Sequence, residues 1–189
     1  MFYESELRSH VRVAPDVFQE DPKKAILSSL KERFEGFISK ELGAVIAVSE
    51  ITNIGEGVII PGDGAAYYDT SFKLYIFKPE LQEVLLTKIN DITDFGAFMD
   101  MGAIDGMIHI SQTMDDFVSF SKANVLTGKQ SKKVLKSGDL CRARIIAVSF
   151  KDPKNPKIGL TMRQAALGNL KWIEEDLKKR EKPTKQVKK

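Results

Sequence analysis

Short stretches of alternating apolar and polar residues recur along this chain, and a period of two predicts β-strands with one buried face. The first such stretch runs from residue 5 to residue 13, where Leu7, Val11 and Val13 alternate with charged residues. Further stretches with this period, or with short apolar runs of similar length, cover residues 43–54, 70–77, 140–150 and 158–162. The pattern therefore predicts a chain rich in strands.

Two other stretches carry apolar residues at helical spacing. The first helix is predicted to begin at Asp21, which caps it, with Pro22 in its first turn, and to end at Gly43. Its apolar stripe consists of Ile26, Leu30, Phe34, Phe37 and Ile38. The second helix is predicted from Arg163 to Pro183. Its apolar face consists of Leu167, Leu170, Ile173 and Leu177, with Trp172 at the edge.

The order of these elements predicts a boundary at Pro79, which ends a strand. Residues 1–79 mix strands with a helix and are predicted to form an α+β domain. Residues 80–168 are predicted to form an all-β domain, for which the family resemblance given below implies a barrel, followed over residues 169–189 by a C-terminal helix and a basic tail. The last five residues of that tail are predicted to be disordered.

The first strand of the predicted barrel covers residues 81–92. Its pattern is interpreted as turning three apolar residues inward, namely Val84, Leu86 and Ile89. Residues 113–136 have little strand character and are predicted to form a short helix or a folded loop inserted into the barrel.

A glycine-rich stretch at residues 55–69 separates two strands of the first domain. It lacks the Gly-Lys-Ser/Thr ending of a phosphate-binding loop and no helix is predicted after it, so nucleotide binding is rejected. Apolar side chains on a projecting loop need a partner to cover them, and the loop is therefore predicted to be a docking surface. The candidate docking residues are Gly55, Gly57, Val58, Ile59, Ile60, Pro61, Gly62 and Gly64.

Three ring side chains, Phe95, Phe98 and His109, lie beside glycines in two short predicted strands. Rings next to small residues on a sheet form a platform on which unpaired bases stack. The alternatives are that both phenylalanines belong to the barrel core and that the lone histidine is structural. If Phe95 and Phe98 share a face, the strand must bulge or bend between them, and Gly96 is where a bulge costs least.

Charge is unevenly distributed, although the net charge is only +3. Residues 1–79 carry nine basic and twelve acidic residues, residues 80–168 carry twelve and ten, and residues 169–189 carry eight and four. Nucleic-acid binding is therefore expected of the later part of the chain rather than of the first. Lys132 and Lys133 belong to a lysine cluster that either attracts phosphates or forms a solvated edge.

The strand predicted at residues 140–150 places Arg142 and Arg144 on one face and Cys141 on the other. The two arginines suit contact with RNA or with an acidic partner equally. One cysteine excludes a disulfide framework and a cysteine zinc site, and Cys141 is predicted to be a buried, inert thiol.

No catalytic constellation is apparent, because the sequence lacks a Ser-His-Asp arrangement, a Walker motif and a carboxylate cluster with metal-ligand partners. Asp115 and Asp116 have no histidine beside them and are interpreted as structural. We therefore expect no cofactor and no metal. The N-terminus does not have the pattern of a signal peptide and no apolar run is long enough to span a bilayer, so a soluble, cytoplasmic protein is expected.

The segments Phe95–Phe98 and His109–Ser111 resemble the ribosomal S-one-type RNA-binding domain, an OB-fold variant. Two later segments fit the same pattern, at residues 138–140 and 159–162. The resemblance implies that Phe95, Phe98 and His109 line an RNA face, with Lys157 at a basic position of the family. The acidic position of the family falls on Ser149, where this chain departs from the pattern.

An acidic α/β domain that starts Met1-Phe2-Tyr3, a glycine-rich projection and an RNA-binding domain follow one another along the chain. This order resembles the family of RNA polymerase stalk subunits, which includes the E-type stalk subunit of archaeal RNA polymerase and the seventh subunit of eukaryotic RNA polymerase II. The resemblance covers nearly the whole chain. It implies a truncated ribonucleoprotein-like first domain followed by an OB-fold barrel.

The same resemblance implies how the chain works. Residues 55–64 would dock on the RNA polymerase core near the clamp, and the protein would form a heterodimer with the F-type stalk subunit of the polymerase. The barrel would bind nascent single-stranded RNA without catalysis of its own. Two alternatives remain open from the sequence. One is a translation or RNA-decay factor that uses the same RNA-binding domain, and the other is a structural adaptor whose aromatic face is covered by protein.

Overall fold

A computed structural model describes residues 1–19, 21–121, 124–152 and 156–181 of the chain. The chain divides into two compact units, Met1–Pro79 and Glu80–Lys189. The C-terminal helix belongs to the second unit, and residues 182–189, which include the tail expected to be disordered, lie outside the described residues. Within the described part of the chain, no helix has both the length and the apolarity needed to cross a membrane.

The first unit is a four-stranded antiparallel sheet in the order β1-β4-β3-β2, with one helix packed against it. Its elements are β1 (Phe2–Val13), α1 (Pro22–Phe34), β2 (Ile38–Ser39), β3 (Gly43–Ile59) and β4 (Ala66–Phe77). Leu7, Val11 and Val13 face the core, as their alternation with charged residues predicts. The centre of this core consists of Val11, Val13, Ile26, Leu30, Val48, Phe72 and Leu74.

The helix α1 begins as predicted but ends at Phe34, well before the predicted end at Gly43. Asp21 caps it by accepting a hydrogen bond from the Lys23 backbone N–H at 3.3 Å, and Pro22 occupies its first turn. It ends at Phe34 because Gly36 adopts a φ of +77°, which L-residues rarely adopt, and donates its N–H to Val45. The prediction that Phe37 and Ile38 extend the helical stripe to Gly43 is therefore wrong.

The glycine-rich stretch is a long hairpin and not a loop. β3 and β4 pair as far as Ile59 and Ala66, so that only residues 60–65 form its tip. Gly57 lies against the ring of Tyr68, and a Cβ at this position would lie only 2.6 Å from Cε1 of that ring. The glycines at this point permit close packing against β4. The glycine-rich sequence therefore suggested a loop where the chain forms paired strands.

The second unit is a closed barrel with an inserted three-stranded sheet. Its strands are β5 (Val84–Ile92), β6 (Gly96–Asp100), β7 (Asp105–His109), β8 (Val118–Ser121), β9 (Val125–Gly128), β10 (Val134–Lys136), β11 (Leu140–Ser149), β12 (Lys157–Thr161) and β13 (Gly168–Asn169). Its helices are α2 (Ile110–Thr113) and α3 (Leu170–Glu181). The barrel sheet has the order β12-β7-β6-β5-β11-β13, and pairing of β11 with β12 closes it.

The inward face of β5 differs from the predicted one. Ile89 is buried as expected, but Val84 is 42% exposed and Leu86 is 61% exposed. Thr87 takes the place of an apolar residue in the core, where its hydroxyl donates to the Cys141 carbonyl at 3.1 Å. Because a buried threonine with a satisfied hydroxyl breaks the apolar pattern, the period of two points to the wrong face.

The insertion predicted as a helix or folded loop is the sheet β10-β9-β8. Its strands have only three or four residues each, too few for alternation to be recognised. The carboxylate of Asp116 holds the connection between β9 and β10, since it accepts hydrogen bonds from Gln130 N, Ser131 N and Ser131 Oγ at 2.8–2.9 Å. These hydrogen bonds, led by that from the Ser131 backbone, lower the pKa of Asp116.

The C-terminal helix starts seven residues later than predicted. Gly168 has a φ of +113° and Asn169 pairs with β11 at Cys141, so the chain is still in the barrel sheet there. The Asn169 side chain then accepts the Lys171 backbone N–H at 3.0 Å and starts α3. Trp172 is packed rather than at an edge, with 9% of it exposed.

Candidate functional site

The two phenylalanines of the predicted stacking platform are both accessible. Phe95 is 45% exposed in the bend before β6, and Phe98 is 36% exposed within β6. Their ring centroids lie 6.0 Å apart with the ring planes at 88°. The two rings therefore form one edge-to-face pair at the surface instead of being part of the barrel core.

The bend that brings these rings together depends on Gly96. A Cβ at Gly96 would lie 2.0 Å from the carbonyl oxygen of Ile108, so any side chain there would collide with the backbone of β7. Hydrogen bonds hold the bend on both sides, from Thr93 N to the Gly96 carbonyl at 2.7 Å and from Ile110 N to the Phe95 carbonyl at 2.9 Å. The bulge of this strand pair lies in β5, between Ile89 and Asp91, and not in β6.

His109 ends β7, where it is exposed and pairs with Gly96. Its Nδ1 lies 2.8 Å from Ser111 Oγ and accepts the Ser111 backbone N–H at 3.3 Å. Because Nδ1 accepts this N–H, the ring proton lies on Nε2. That N–H is consequently available to donate a hydrogen bond to a ligand.

A groove of about 660 Å³ connects several of the predicted residues. It is built on β6, β7, β12 and the second half of β11, and Phe98, His109, Ser149 and Lys157 all line it. Ser149 and Lys157 are direct partners across β11 and β12. Lys157, at the basic position of the family, and Ser149, at its acidic position, therefore face the same groove as the ring of Phe98.

Two groove residues were not predicted from the sequence. Met107 lies directly opposite Phe98 in the hairpin and two residues before His109, so alternation along β7 was a signal that pointed to it. Ile146 is 41% exposed because it follows Arg142 and Arg144 on the outward face of β11, so alternation along this strand was a signal for it as well.

The other candidate basic residues do not line the groove. Arg142 pairs with Leu86 of β5 and donates to the Ala166 carbonyl at 3.4 Å. Arg144 is half-buried, and its Nε is buried without a hydrogen-bond partner among the residues that the structure describes. Both arginines lie on the side of β11 opposite the core.

The two lysines of the insertion also lie away from the groove. Lys132 is exposed in the turn between β9 and β10, with a φ of +53°. The Nζ of Lys133 lies 3.6 Å from Asp176 Oδ2 and 5.4 Å from the centroid of the Trp172 ring. Lys133 therefore holds α3 against the inserted sheet.

The end of β3 and the adjoining hairpin tip expose a continuous aliphatic run. Val58 is 61% exposed, Ile59 62% and Ile60 46%. Asp63 donates its N–H to the Ile60 carbonyl at 3.2 Å, and Gly62 and Gly64 have φ values of +96° and +70°. The tip is therefore a defined turn that displays apolar side chains.

Ionic contacts hold this tip to the end of β1. The Arg12 guanidinium donates to the two carboxylate oxygens of Asp63 at 2.8 and 3.0 Å, and the Tyr67 hydroxyl donates to Asp63 at 2.6 Å. The hydrogen bond from Arg12 and then that from Tyr67 lower the pKa of Asp63 to about 2. The hydrogen bond to Asp63 raises the pKa of Tyr67.

The described residues include no group of three or more His, Cys, Asp or Glu side chains that is arranged to hold a metal ion. Asp115 pairs with Arg163 at 2.6 Å, and Asp116 supports the inserted sheet. Cys141 is fully buried, and desolvation raises the pKa of its thiol to about 12. The prediction that Cys141 is buried is confirmed.

Comparison with known sequences places both units in one family. The family profile described as the SHS2 domain found in the N terminus of Rpb7p/Rpc25p/MJ0397 matches residues 8–64, and the S1 RNA binding domain profile matches residues 78–152. DNA-directed RNA polymerase subunit Rpo7 of Saccharolobus solfataricus is 37% identical over 168 residues, which are 88% of this chain and 93% of that relative. The chain belongs to the Rpo7 family.

More distant relatives of the Rpo7 family also match. DNA-directed RNA polymerase III subunit RPC8 of Saccharomyces cerevisiae is 32% identical over 114 residues, which are 60% of this chain and 54% of that relative. Among solved structures, the apo form of Mycoplasma genitalium RNase R is 35% identical over 42% of this chain and 13% of that chain, with a TM-score of 0.37. That structural similarity is too low to bear on the fold.

Membership in the Rpo7 family confirms the resemblance that was stated from the sequence, and the chain is a subunit of DNA-directed RNA polymerase. The two matched profiles confirm the predicted fold class. An SHS2 domain comes first, and an S1-type OB barrel with a C-terminal helix follows.

Proposed function

We propose that this Rpo7-family chain is a non-catalytic stalk subunit that binds nascent single-stranded RNA through its second unit while its first unit docks on the polymerase core near the clamp. The observation that carries this proposal is the exposed pair Phe95 and Phe98 beside His109, on a groove with Lys157 at its side. We further propose that the protein forms a heterodimer with the F-type stalk subunit and acts with the polymerase in the cytoplasm, without a cofactor or a metal.

Each groove residue has a separate role in the proposed binding. Bases stack on the faces of Phe95 and Phe98, since every base has a π-face and needs no particular edge pattern. The Nε2–H of His109 donates to a base or ribose oxygen, and Lys157 attracts a phosphate. Ser149 supplies a neutral hydroxyl, so it adds no repulsion toward phosphates. Binding of this kind is largely independent of base sequence.

Docking is proposed for residues 55–64, which are the end of β3 and most of the hairpin tip. Their aliphatic run at Val58, Ile59 and Ile60 suits an apolar cleft on a large protein. Because Asp63 holds the turn to Arg12, little ordering entropy is lost when the tip enters such a cleft. The glycines and Pro61 shape the turn and contribute little contact area of their own.

The basic residues away from the groove have a proposed role at longer range. Lys132, Lys133, Arg142 and Arg144 attract the RNA backbone electrostatically instead of contacting the stacked bases. This contribution decreases within about 10 Å at 0.1 M salt. It therefore affects the salt dependence of binding more than its specificity.

Substitution of Phe98 by alanine tests the proposal. Loss of one stacking surface should weaken binding of a single-stranded oligouridine by roughly 1–3 kcal/mol. Fluorescence anisotropy at several salt concentrations measures this change. Log affinity falls as log salt rises, and replacing Lys157 by glutamine should make this slope less steep by about 1, because one phosphate contact is lost.

Leu86→Ala is the matched control, since Leu86 is 61% exposed on a different part of the barrel surface and does not line the groove. Its affinity for the same oligonucleotide should equal that of the unmodified chain. Equal affinities of the Phe98→Ala and Leu86→Ala proteins would refute stacking in the groove. Absence of any binding by the unmodified protein would favour the structural adaptor.

A further inference from the structure

Phe117 is the most exposed large hydrophobic side chain among the described residues, with 75% of it accessible. Its backbone is nevertheless fixed, because its N–H donates to Asp116 Oδ1 at 2.6 Å and its carbonyl accepts from the Lys129 N–H at 2.8 Å. An exposed ring on a fixed backbone loses little entropy when a ligand stacks on it. Neither the barrel fold nor the groove requires an aromatic residue at this position.

A second cavity, of about 520 Å³, opens beside this ring. Polar side chains surround it, and they include Ser111, Gln130 and the ion pair of Asp115 with Arg163, whose atoms lie 2.6 Å apart. Arg163 balances the charge of Asp115. The second carboxylate of the lining, Asp116, accepts hydrogen bonds from Phe117, Gln130 and Ser131. The remaining donors and acceptors suit the polar edge of a base.

The cavity and the groove meet at α2. His109 lines the groove and Ser111 lines the cavity, and the two side chains are joined by the 2.8 Å contact between Nδ1 and Oγ. The helix between the two sites has four residues, a length of about 6 Å at 1.5 Å per residue. A single strand that leaves the groove beside His109 therefore reaches the cavity within one or two nucleotides.

The surroundings of Phe117 favour a base over a protein partner. Protein docking surfaces are contiguous apolar patches of several hundred Å². Here one ring stands among polar and charged side chains, with Ile110 and Val118 as the only other apolar residues lining the cavity among those that the structure describes. A single ring framed by hydrogen-bonding groups is the arrangement on which a base stacks.

We propose that Phe117 stacks a further base of the RNA, so that the binding site extends from the groove across α2 to the inserted sheet. This inference rests on the proposed RNA binding by the groove. It assigns a function to the insertion, and it predicts that the site is longer than the barrel face alone provides.

The test compares two oligouridines, of about 4 and about 12 nucleotides, since the site sizes of OB folds run from about 4 to about 16 nucleotides. With the full chain, Phe117→Ala should leave the affinity for the short oligonucleotide unchanged and weaken the affinity for the long one by roughly 5- to 150-fold, the loss of one stacked base. Phe117→Tyr keeps the ring and should bind both as the unmodified chain does.

Three outcomes separate this inference from the proposed function. If Phe98→Ala weakens binding of both oligonucleotides but Phe117→Ala weakens neither, RNA binding stands and the extension is refuted. If Phe117→Tyr loses as much affinity as Phe117→Ala, a stacking role for Phe117 is refuted. If the unmodified chain binds neither oligonucleotide, the proposed function itself fails. Unchanged thermal unfolding of both Phe117 variants shows that they are folded.

Discussion

Gly96 has no room for a side chain, because the carbonyl oxygen of Ile108 would lie 2.0 Å from a Cβ there. We therefore expect Gly96→Ala to lower the free energy of unfolding by about 1–3 kcal/mol, the usual cost of forcing extra atoms into a packed site. β7 must move to relieve the contact, and His109 moves with it. The variant should thus also bind single-stranded RNA more weakly than the unmodified chain, as measured by anisotropy.

Gly138→Ala separates this clash from backbone strain. Gly138 has a φ of +88°, but no atom lies within 4 Å of its added Cβ. Alanine there should lower the free energy of unfolding by about 1–2 kcal/mol, because it must adopt the left-handed conformation. RNA binding should be unchanged. Chemical denaturation measures both stabilities. A Gly96→Ala protein that binds RNA normally would contradict the role given to this glycine.

Residue types predicted part of the candidate site, and the resemblance to the S-one-type domain supplied the rest. Phe98, His109 and Lys157 line one groove, and Phe95 contacts Phe98. The rings were predicted from their place beside glycines, whereas Lys157 came only from the resemblance. The arginines of β11 and the lysines of the insertion were harder to assign. Their positions depend on how distant strands pair, and charge alone carries no information about that pairing.

At the scale of elements, the long hairpin of the first unit depends on the contacts of Asp63 with Arg12 and Tyr67, which we call the buttress. The pKa of Asp63 is lowered to about 2 by the hydrogen bonds from Arg12 and Tyr67. A carboxylate with a lowered pKa stabilises the fold above its ordinary pKa near 3.9 and loses that contribution as the pH falls through the lowered value. The buttress should therefore remain intact at pH 4–7 and be lost near pH 2.

Carboxyl NMR titration of Asp63 measures this directly. The midpoint should lie near 2 in the unmodified chain and should rise toward the ordinary value in Arg12→Gln. Arg8→Gln is the control, because Arg8 pairs with Asp69 and should leave the Asp63 midpoint unchanged. An ordinary midpoint in the unmodified protein would contradict the proposed buttress.

Long periodic elements were predicted well, and elements defined by a few residues were not. β1 and β11 follow from alternation over nine or more residues. The inserted sheet has strands too short to show a period, and the end of α1 depends on one glycine at φ +77° that competes with an apolar stripe continuing past it. In both cases tertiary pairing overrides the local pattern.

At the scale of the whole molecule, the proposed docking and RNA-binding residues belong to different units. Their effects should consequently be separable. A tagged chain with Val58→Ser, Ile59→Ser and Ile60→Ser should fail to recover RNA polymerase from extract but should bind oligouridine normally. Phe98→Ala should recover RNA polymerase normally but should bind oligouridine more weakly. Affinity purification with identification of the recovered proteins, followed by anisotropy, measures both properties.

Ile46→Ser provides the control for docking, since Ile46 is 40% exposed in β3 but lies away from the hairpin tip. It should recover polymerase normally. Recovery of polymerase by the triple variant would show that the tip is not the docking surface. Recovery of ribosomes or the exosome instead of polymerase by the unmodified chain would favour the translation or RNA-decay alternative.

The packing of Trp172 has an experimental consequence. It is the chain's one tryptophan and lies in the second unit, whereas the four tyrosines, Tyr3, Tyr67, Tyr68 and Tyr75, all lie in the first. Because Trp172 is 9% exposed against Gly168, its emission changes when α3 leaves the barrel. Indole and phenol fluorescence therefore give each unit its own intrinsic spectroscopic reporter, and one melting experiment can follow both without a label.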